Sequence, residues 1–401
     1  MPADATAEYA EQVQTLLDEA DALPEGQTKA ALCEQAIAIA DTHRDEELGY
    51  EARMHSMFPL YHSGRTDALL VHFAWCLAML DRDADLDPTS MLWRYRWVID
   101  CLPGFPEVPL ARIHAAVADM TRRYEACGHS ARPIHVLTRR IARPLADKAL
   151  GEAADARIRP ARNDAMSDGA ETERAFDIFY HVFLRNDEKV VRLTEKFVES
   201  PKSDEHFRGL VMTDSLDSLL RLGQTALAAE YHKTGLRLVR KKQKRCGPYA
   251  EHVEYLAIVG DLPAAVKLFE GEFDEAATMP SATTRFDYFF GGRLLCDRMA
   301  KAGRAHLPIR LPAAVAVPTA DDKVAVADLS LWLIEQLIDL ASRLDTRNGN
   351  DYYTDRVNEL EAVNELADRL AATRMAIPVA VPVARPVAPV AKAAKQGKEK
   401  N

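Results

Sequence analysis

Metal and nucleophile chemistry would have to come from the twelve histidines and six cysteines of this 401-residue chain. Glu51, His55 and His62 stand four and seven residues apart, a spacing that puts all three on one helix face, and His72 follows in the next apolar stretch. Those are zinc-ligand types. Pro59 interrupts the helix between them, however, so interface histidines are the expected role. Asp81, Asp83, Asp85 and Asp87 imitate the start of a calcium loop. Its sixth position, which needs Gly, is Leu86, and its twelfth, which needs Glu, is Leu92. That run reads as an acidic interhelical loop. Cys33, Cys76, Cys101, Cys127, Cys246 and Cys296 include no CxxC pair, and several lie in apolar runs, as buried reduced thiols do. HExxH, GxSxG and GxxxxGK are absent, and no GxGxxG opens a helix after a strand. The expectation is a non-enzymatic protein with no catalytic residues, no metal and no cofactor.

Binding chemistry is better represented. Trp93, Tyr95 and Trp97 alternate with Arg94 and Arg96, residue types that stack on nucleic-acid bases. On a helix, Trp93 and Trp97 share one face while Leu92, Tyr95 and Ile99 line another, so core packing is the competing role. The run 237–245, RLVRKKQKR, holds six cations: Arg237, Arg240, Lys241, Lys242, Lys244 and Arg245. The helix macrodipole favours one or two cations at a C-terminus, but six repel one another. The excess suggests an acidic partner, either nucleic acid or the acidic surface of a second copy. The formal net charge is −10, divided as −13 over 1–110, +6 over 111–162 and −3 over the remainder. A protein or peptide partner is the leading expectation, with Arg53, His55, Trp93, Arg94 and Tyr180 as candidate anchors of the types that dominate interfaces. The alternative is a nucleic-acid-associated module using 111–162 and 237–245.

The elements that must carry these residues are helices. Ala and Leu dominate, and few Val, Ile or Thr runs alternate with period two. Two helix-turn-helix units in 204–273 share one register, turning at Gly223 and Gly260, and a third 37 residues earlier turns at Asn186. Gly26 and Gly64 repeat the spacing near the N-terminus. Four residues before these glycines stand Ala22, Leu60, Leu219 and Leu256; five after stand Ala31, Leu69, Ala228 and Ala265. Small residues there let two helices approach, and the Leu fills the seam. Residues 133–150 read as a helix kinked at Pro144, and 151–169, poor in large apolar residues, as a loop or linker.

This pattern resembles the tetratricopeptide repeat family, best over GRTDALLVHFAWCLAML and GDLPAAVKLF. The period is 37–38 rather than 34, and the family's first-helix Trp and Leu-Gly have no counterpart before Gly64, Gly223 or Gly260. The resemblance implies an all-α solenoid of antiparallel helix pairs over 8–310 that holds a peptide on its first helices. Some members clamp a C-terminal carboxylate with Lys, Arg and Asn, but no Asn precedes Asn163 here. An apolar hairpin over 321–375, joined by Arg347-Asn348-Gly349-Asn350, is expected to cap the array. The Pro-rich, basic 376–401 reads as a disordered tail. The polar, acidic start is unlike a signal peptide, and the longest apolar run, 68–80, is too short to span a bilayer. The cytoplasm is the expected location, with no membrane partner.

Overall fold

A computed structural model describes residues 3–242, 247–313, 315–320 and 323–376. Of the expected tail over 376–401, Ala376 ends the last helix and the rest lies outside the described residues, as do Lys244, Arg245 and the side chains of Lys241 and Lys242.

The protein is all-α, built from helix pairs in chain order: α1 (Ala3–Asp21) with α2 (Gln27–His43), α3 (Glu46–His62) with α4 (Thr66–Arg82), α5 (Pro88–Cys101) with α6 (Leu110–Ala126), and α7 (Arg132–Leu145) with α8 (Lys148–Ile158). Then come α9 (Ala170–Phe183) with α10 (Asp187–Val198), α11 (Glu205–Asp214) and α12 (Leu216–Arg221) with α13 (Thr225–Lys242), and α14 (Gly247–Val259) with α15 (Leu262–Thr278). Helix α16 (Ala282–Lys301) follows. Beyond it the proline-rich stretch is extended, as expected, and forms a small sheet of β1 (His306–Leu307), β2 (Thr319–Ala320) and β3 (Lys323–Ala325) in the order β1-β3-β2. Helices α17 (Val326–Asn348), α18 (Tyr352–Asn358) and α19 (Leu360–Ala376) end the described chain.

One backbone device ends these helices. At Gly64, Gly223 and Gly260 φ lies between 73 and 80°, and the next N–H returns to the carbonyl of Leu60, Leu219 or Leu256 at 2.8–3.1 Å. The leucine seen four residues before each glycine is therefore the residue whose carbonyl accepts the closing bond. Gly26 does not belong to this set. Its φ is 149° at the N-cap of α2, and the buried alanine beside it is Ala30, not Ala31. Replacing Gly260 by Val, with open space around it, isolates backbone strain; a loss of about 1–2 kcal/mol is expected in thermal unfolding. An unchanged melting temperature would refute it.

Three expectations are corrected. Residues 151–158 are not loop: α8 runs through Ile158, capped by Asp147, whose carboxylate accepts the Leu150 N–H at 2.8 Å, and only 159–169 form the expected connection, leading to α9. The inner residues of α8 are small because a Cβ on Gly151 would stand 2.7 Å from the Tyr180 ring. Pro144 does not kink a long helix either. The helix ends at Leu145, and Ala146 takes the left-handed conformation at φ 53°. The turn before α10 is likewise set by Arg185, at φ 57°, and not by Asn186. Left-handed turn residues at 146, 185, 223 and 260 then follow one another at 39, 38 and 37 residues, without interruption.

The first helices of successive pairs touch in a continuous row: α1 on α3, then α5, α7, α9, α11, α14 and α16. They form the inner wall. The C-terminal hairpin packs on this wall. Helix α17 lies along α16, and α19 lies on α14 and α16. The hairpin tip reaches far back along the chain. Arg347 donates to the carbonyls of Pro103 and Phe105 at 2.8 and 3.1 Å, and Asn350 to that of Leu145 at 3.1 Å. The Tyr353 hydroxyl donates to Pro144 O at 3.0 Å.

Candidate functional site

The inner wall holds a cavity of about 330 Å³, lined from five consecutive helix pairs by Asp100, by Arg139, Arg140 and Arg143, by Phe176, Phe179 and Tyr180, by Leu210, Thr213 and Asp214, and by Glu251. Each first helix contributes the face that its register turns inward. On α7 that face is Arg132, Arg139, Arg140 and Arg143, spaced seven, eight and eleven residues from the first. Arg132 lines a neighbouring cavity of about 340 Å³ with Asn163, Asp168 and Glu173, and Arg139 borders both.

The arginines are held by carboxylates from other helices. Arg140 donates to Asp100 at 2.7 Å and stacks on Phe176, its guanidinium carbon 4.0 Å from the ring centre. Arg143 donates to Asp214 at 2.6 Å, and that attraction holds its charge more firmly than usual. Arg139, buried, bridges Asp155 and Asp177 at 2.6 and 3.0 Å and faces Tyr180. Behind Thr213 its hydroxyl meets His252 Nε2 at 3.0 Å, and His252 Nδ1 meets His232 Nδ1 at 3.0 Å. Burial holds both imidazoles below the ordinary histidine range, His232 at about 4. The pair is therefore neutral near pH 7, with one Nδ1–H shared between the rings.

At the far end of the wall α18 presents Tyr352 and Arg356. Arg356 donates to both oxygens of Glu254, at 2.9 and 3.1 Å, and lies 3.9 Å over the Phe290 ring. Asp287 of α16 is solvent-exposed, yet desolvation by the surrounding protein pushes its carboxyl up to about 6 against the pull of Arg143 and Arg356.

No protein-family model matches this chain. A search of curated proteins also returned no match.

Of the binding residues expected from the sequence, Arg53, His55, Trp93, Arg94 and Tyr180, only Tyr180 lines the cavity. It is buried, and its hydroxyl, lying beside Gly151, has no hydrogen-bond partner among the described residues. Arg53 is buried, paired with Asp41 at 2.7 Å and stacked on Trp75. His55 is half-buried, 3.7 Å from Asp21. Arg94 donates to Met54 O at 3.1 Å and Ser90 O at 3.0 Å, while Trp93 lies under Arg96. These four knit the N-terminal pairs together and do not share a site with Tyr180. Arg237 and Arg240 are exposed on α13. In the basic 111–162 segment, Arg123, Arg132, Arg139, Arg140 and Arg143 are held in ion pairs within the fold, while Arg112, Arg122, Lys148, Arg157, Arg159 and Arg162 are exposed. Among the described residues no group of three or more His, Cys, Asp or Glu is placed to hold a metal ion, and no helix is long and apolar enough to cross a membrane.

The inner-face arginines, Phe176, Asp214 and Glu251 were not singled out by sequence reasoning. The one legible signal was the arginine stripe of α7. Its partners come from helices far apart in the chain.

Proposed function

We propose that this chain is a non-enzymatic, tetratricopeptide-like scaffold of the cytoplasm that holds a segment of a partner protein along its first helices. The observation that carries the reading is the cavity itself. It lies on the inner wall, draws on five consecutive pairs and combines an apolar wall with oriented charges, the composition of a recognition pocket. Its volume suits an anchoring side chain rather than a folded domain, so the partner would enter as an extended or helical peptide. Arg140 and Arg143, fixed by their carboxylates, would lose little freedom on binding. The nucleic-acid alternative has less support, because Arg132, Arg139, Arg140 and Arg143, the arginines of 111–162 that line the cavities, are already paired; the exposed Arg112, Arg157, Arg159, Arg237 and Arg240 remain available to it.

The test is capture from native extract with the full chain, with and without nuclease, alongside a variant carrying Phe179→Ala and Leu210→Ala. Both residues are half-buried in the cavity wall, so the variant is expected to keep its fold. Captured proteins should survive nuclease and fall at least about tenfold with the variant. Capture that nuclease abolishes would favour the alternative. Equal capture by both chains would rule out the cavity as the site.

A further inference from the structure

Four arginines reach the inner wall near the cavity, and each has a carboxylate of its own. Arg139 has Asp155 and Asp177, Arg140 has Asp100, Arg143 has Asp214, and Arg356 has Glu254. Two carboxylates are left over. Glu251 lines the cavity from α14, and its Oε2 is buried with no hydrogen-bond partner. Asp287 stands on the adjoining first helix, α16, and makes no hydrogen bond or ion pair among the described residues, although α14 and α16 are tightly packed. It acts electrostatically on Glu251 and Tyr352, and Arg143 and Arg356 attract its charge without pairing with it. Neither acid caps a helix or joins two elements, so neither has a structural task that would offset its cost. An unmatched carboxylate is costly where it is buried, as Glu251 Oε2 is, while Asp287 is exposed and bears less of that cost. Burial, with Asp214 beside it, also pushes the Glu251 carboxyl well up.

Tyr352 adds a second kind of group. It sits at the start of α18, edge-on to Phe183, with more than a third of its surface accessible. An accessible aromatic ring next to the Asp287 carboxylate suits a cation, which gains both from the charge and from the ring face.

We infer that the inner wall binds a primary ammonium or guanidinium group between Glu251 and Asp287, beside Tyr352, presented as a lysine or arginine side chain of the bound segment. This rests on the scaffold reading of the cavity. The bound cation would supply the two ion pairs that the free protein lacks, and the apolar wall of Phe176 and Phe179 would take the neighbouring side chain of the same segment. A free diamine offers the same chemistry from another source.

The test uses the full chain and three pools of random octapeptides that differ only in a fixed central residue, Lys, Gln or Glu, with cadaverine as a separate probe. The Lys pool should bind at least about tenfold more tightly than the Gln pool, with Glu weakest, as expected of charge-assisted contacts in a sheltered site. Glu251→Gln with Asp287→Asn should remove that preference while leaving the melting temperature at pH 7 unchanged or higher, because it takes away unmatched charge. A lower melting temperature would show that the two acids are structural and would overturn the proposal. Equal or tighter binding of the Gln or Glu pool would overturn the cation site and leave the scaffold reading standing. Binding of cadaverine alone, lost in the double variant, would keep the cation site but remove its peptide and, with it, the scaffold reading. No binding of any probe would overturn both.

Discussion

Arg96→Ala is expected to cost about 3–5 kcal/mol in chemical denaturation, the loss seen when one partner of a buried ion pair is removed. Arg96 is buried on α5. It donates to Met166 O at 3.0 Å, pairs with Asp168 and lies over the Trp93 ring at 4.5 Å. It thus fixes the connection between α8 and α9 to a helix pair much earlier in the chain. Truncation leaves the Asp168 carboxylate, only 11% exposed, without its charge partner, and Met166 O without its donor. Adding Asp168→Leu should recover a large part of the loss, because the unpaired charge dominates the cost. A single-variant loss below about 1 kcal/mol would mean that water replaces Arg96 with ease and that the connection is not anchored there.

Asp345→Ala is expected to cost about 3–4 kcal/mol and to free the start of α18, since hydrogen bonds to a charged acceptor contribute about 1.5–3 kcal/mol each. The buried carboxylate accepts the N–H of Tyr353 at 2.9 Å and that of Thr354 at 2.8 Å. Those are first-turn donors of α18, which no intrahelical carbonyl can satisfy. Asp345→Asn keeps one acceptor oxygen and should lose about half as much. Amide hydrogen exchange should report the change locally. Protection should fall over Tyr352–Asn358 and at the turn before it, with α1–α4 unaffected. Uniform exchange across the chain, or none gained in α18, would show that Asp345 does not hold the hairpin. Because α18 carries Tyr352 and Arg356 to the inner wall, the same variant should weaken whatever binds beside Asp287.

The sequence by itself determined the helical class and much of the pair rhythm, because both are local. Apolar spacing near 3.6 residues and a glycine at a left-handed helix end are read within one or two turns. It could not show that Arg44, Ala146 and Arg185 end helices in the same way, at φ 53–57°. A side chain in that conformation costs about 1–2 kcal/mol, and only packing of the whole turn decides that it is tolerated. Helix α8 was hidden for a related reason. It meets its neighbours through Gly151 and Ala154, small residues that read as a linker when nothing shows what lies against them.

Residue type also misled about exposure. Arg53 has the chemistry of an interface anchor, yet Asp41 and Trp75 absorb it inside the fold. The inner-wall site could be no more legible. Its charges run from Asp100 to Arg356 and meet only because successive first helices stack in one row. The apolar stripe of α17 required that helix to dock, but apolar burial has no direction. Tertiary structure chose the place through directional bonds, those of Arg347 to the Pro103 and Phe105 carbonyls and those of Asn350 and Tyr353 to Leu145 and Pro144. Hydrogen bonds fix an address where hydrophobic burial supplies only the drive, and partners this remote in the chain leave no pattern in the sequence around either of them.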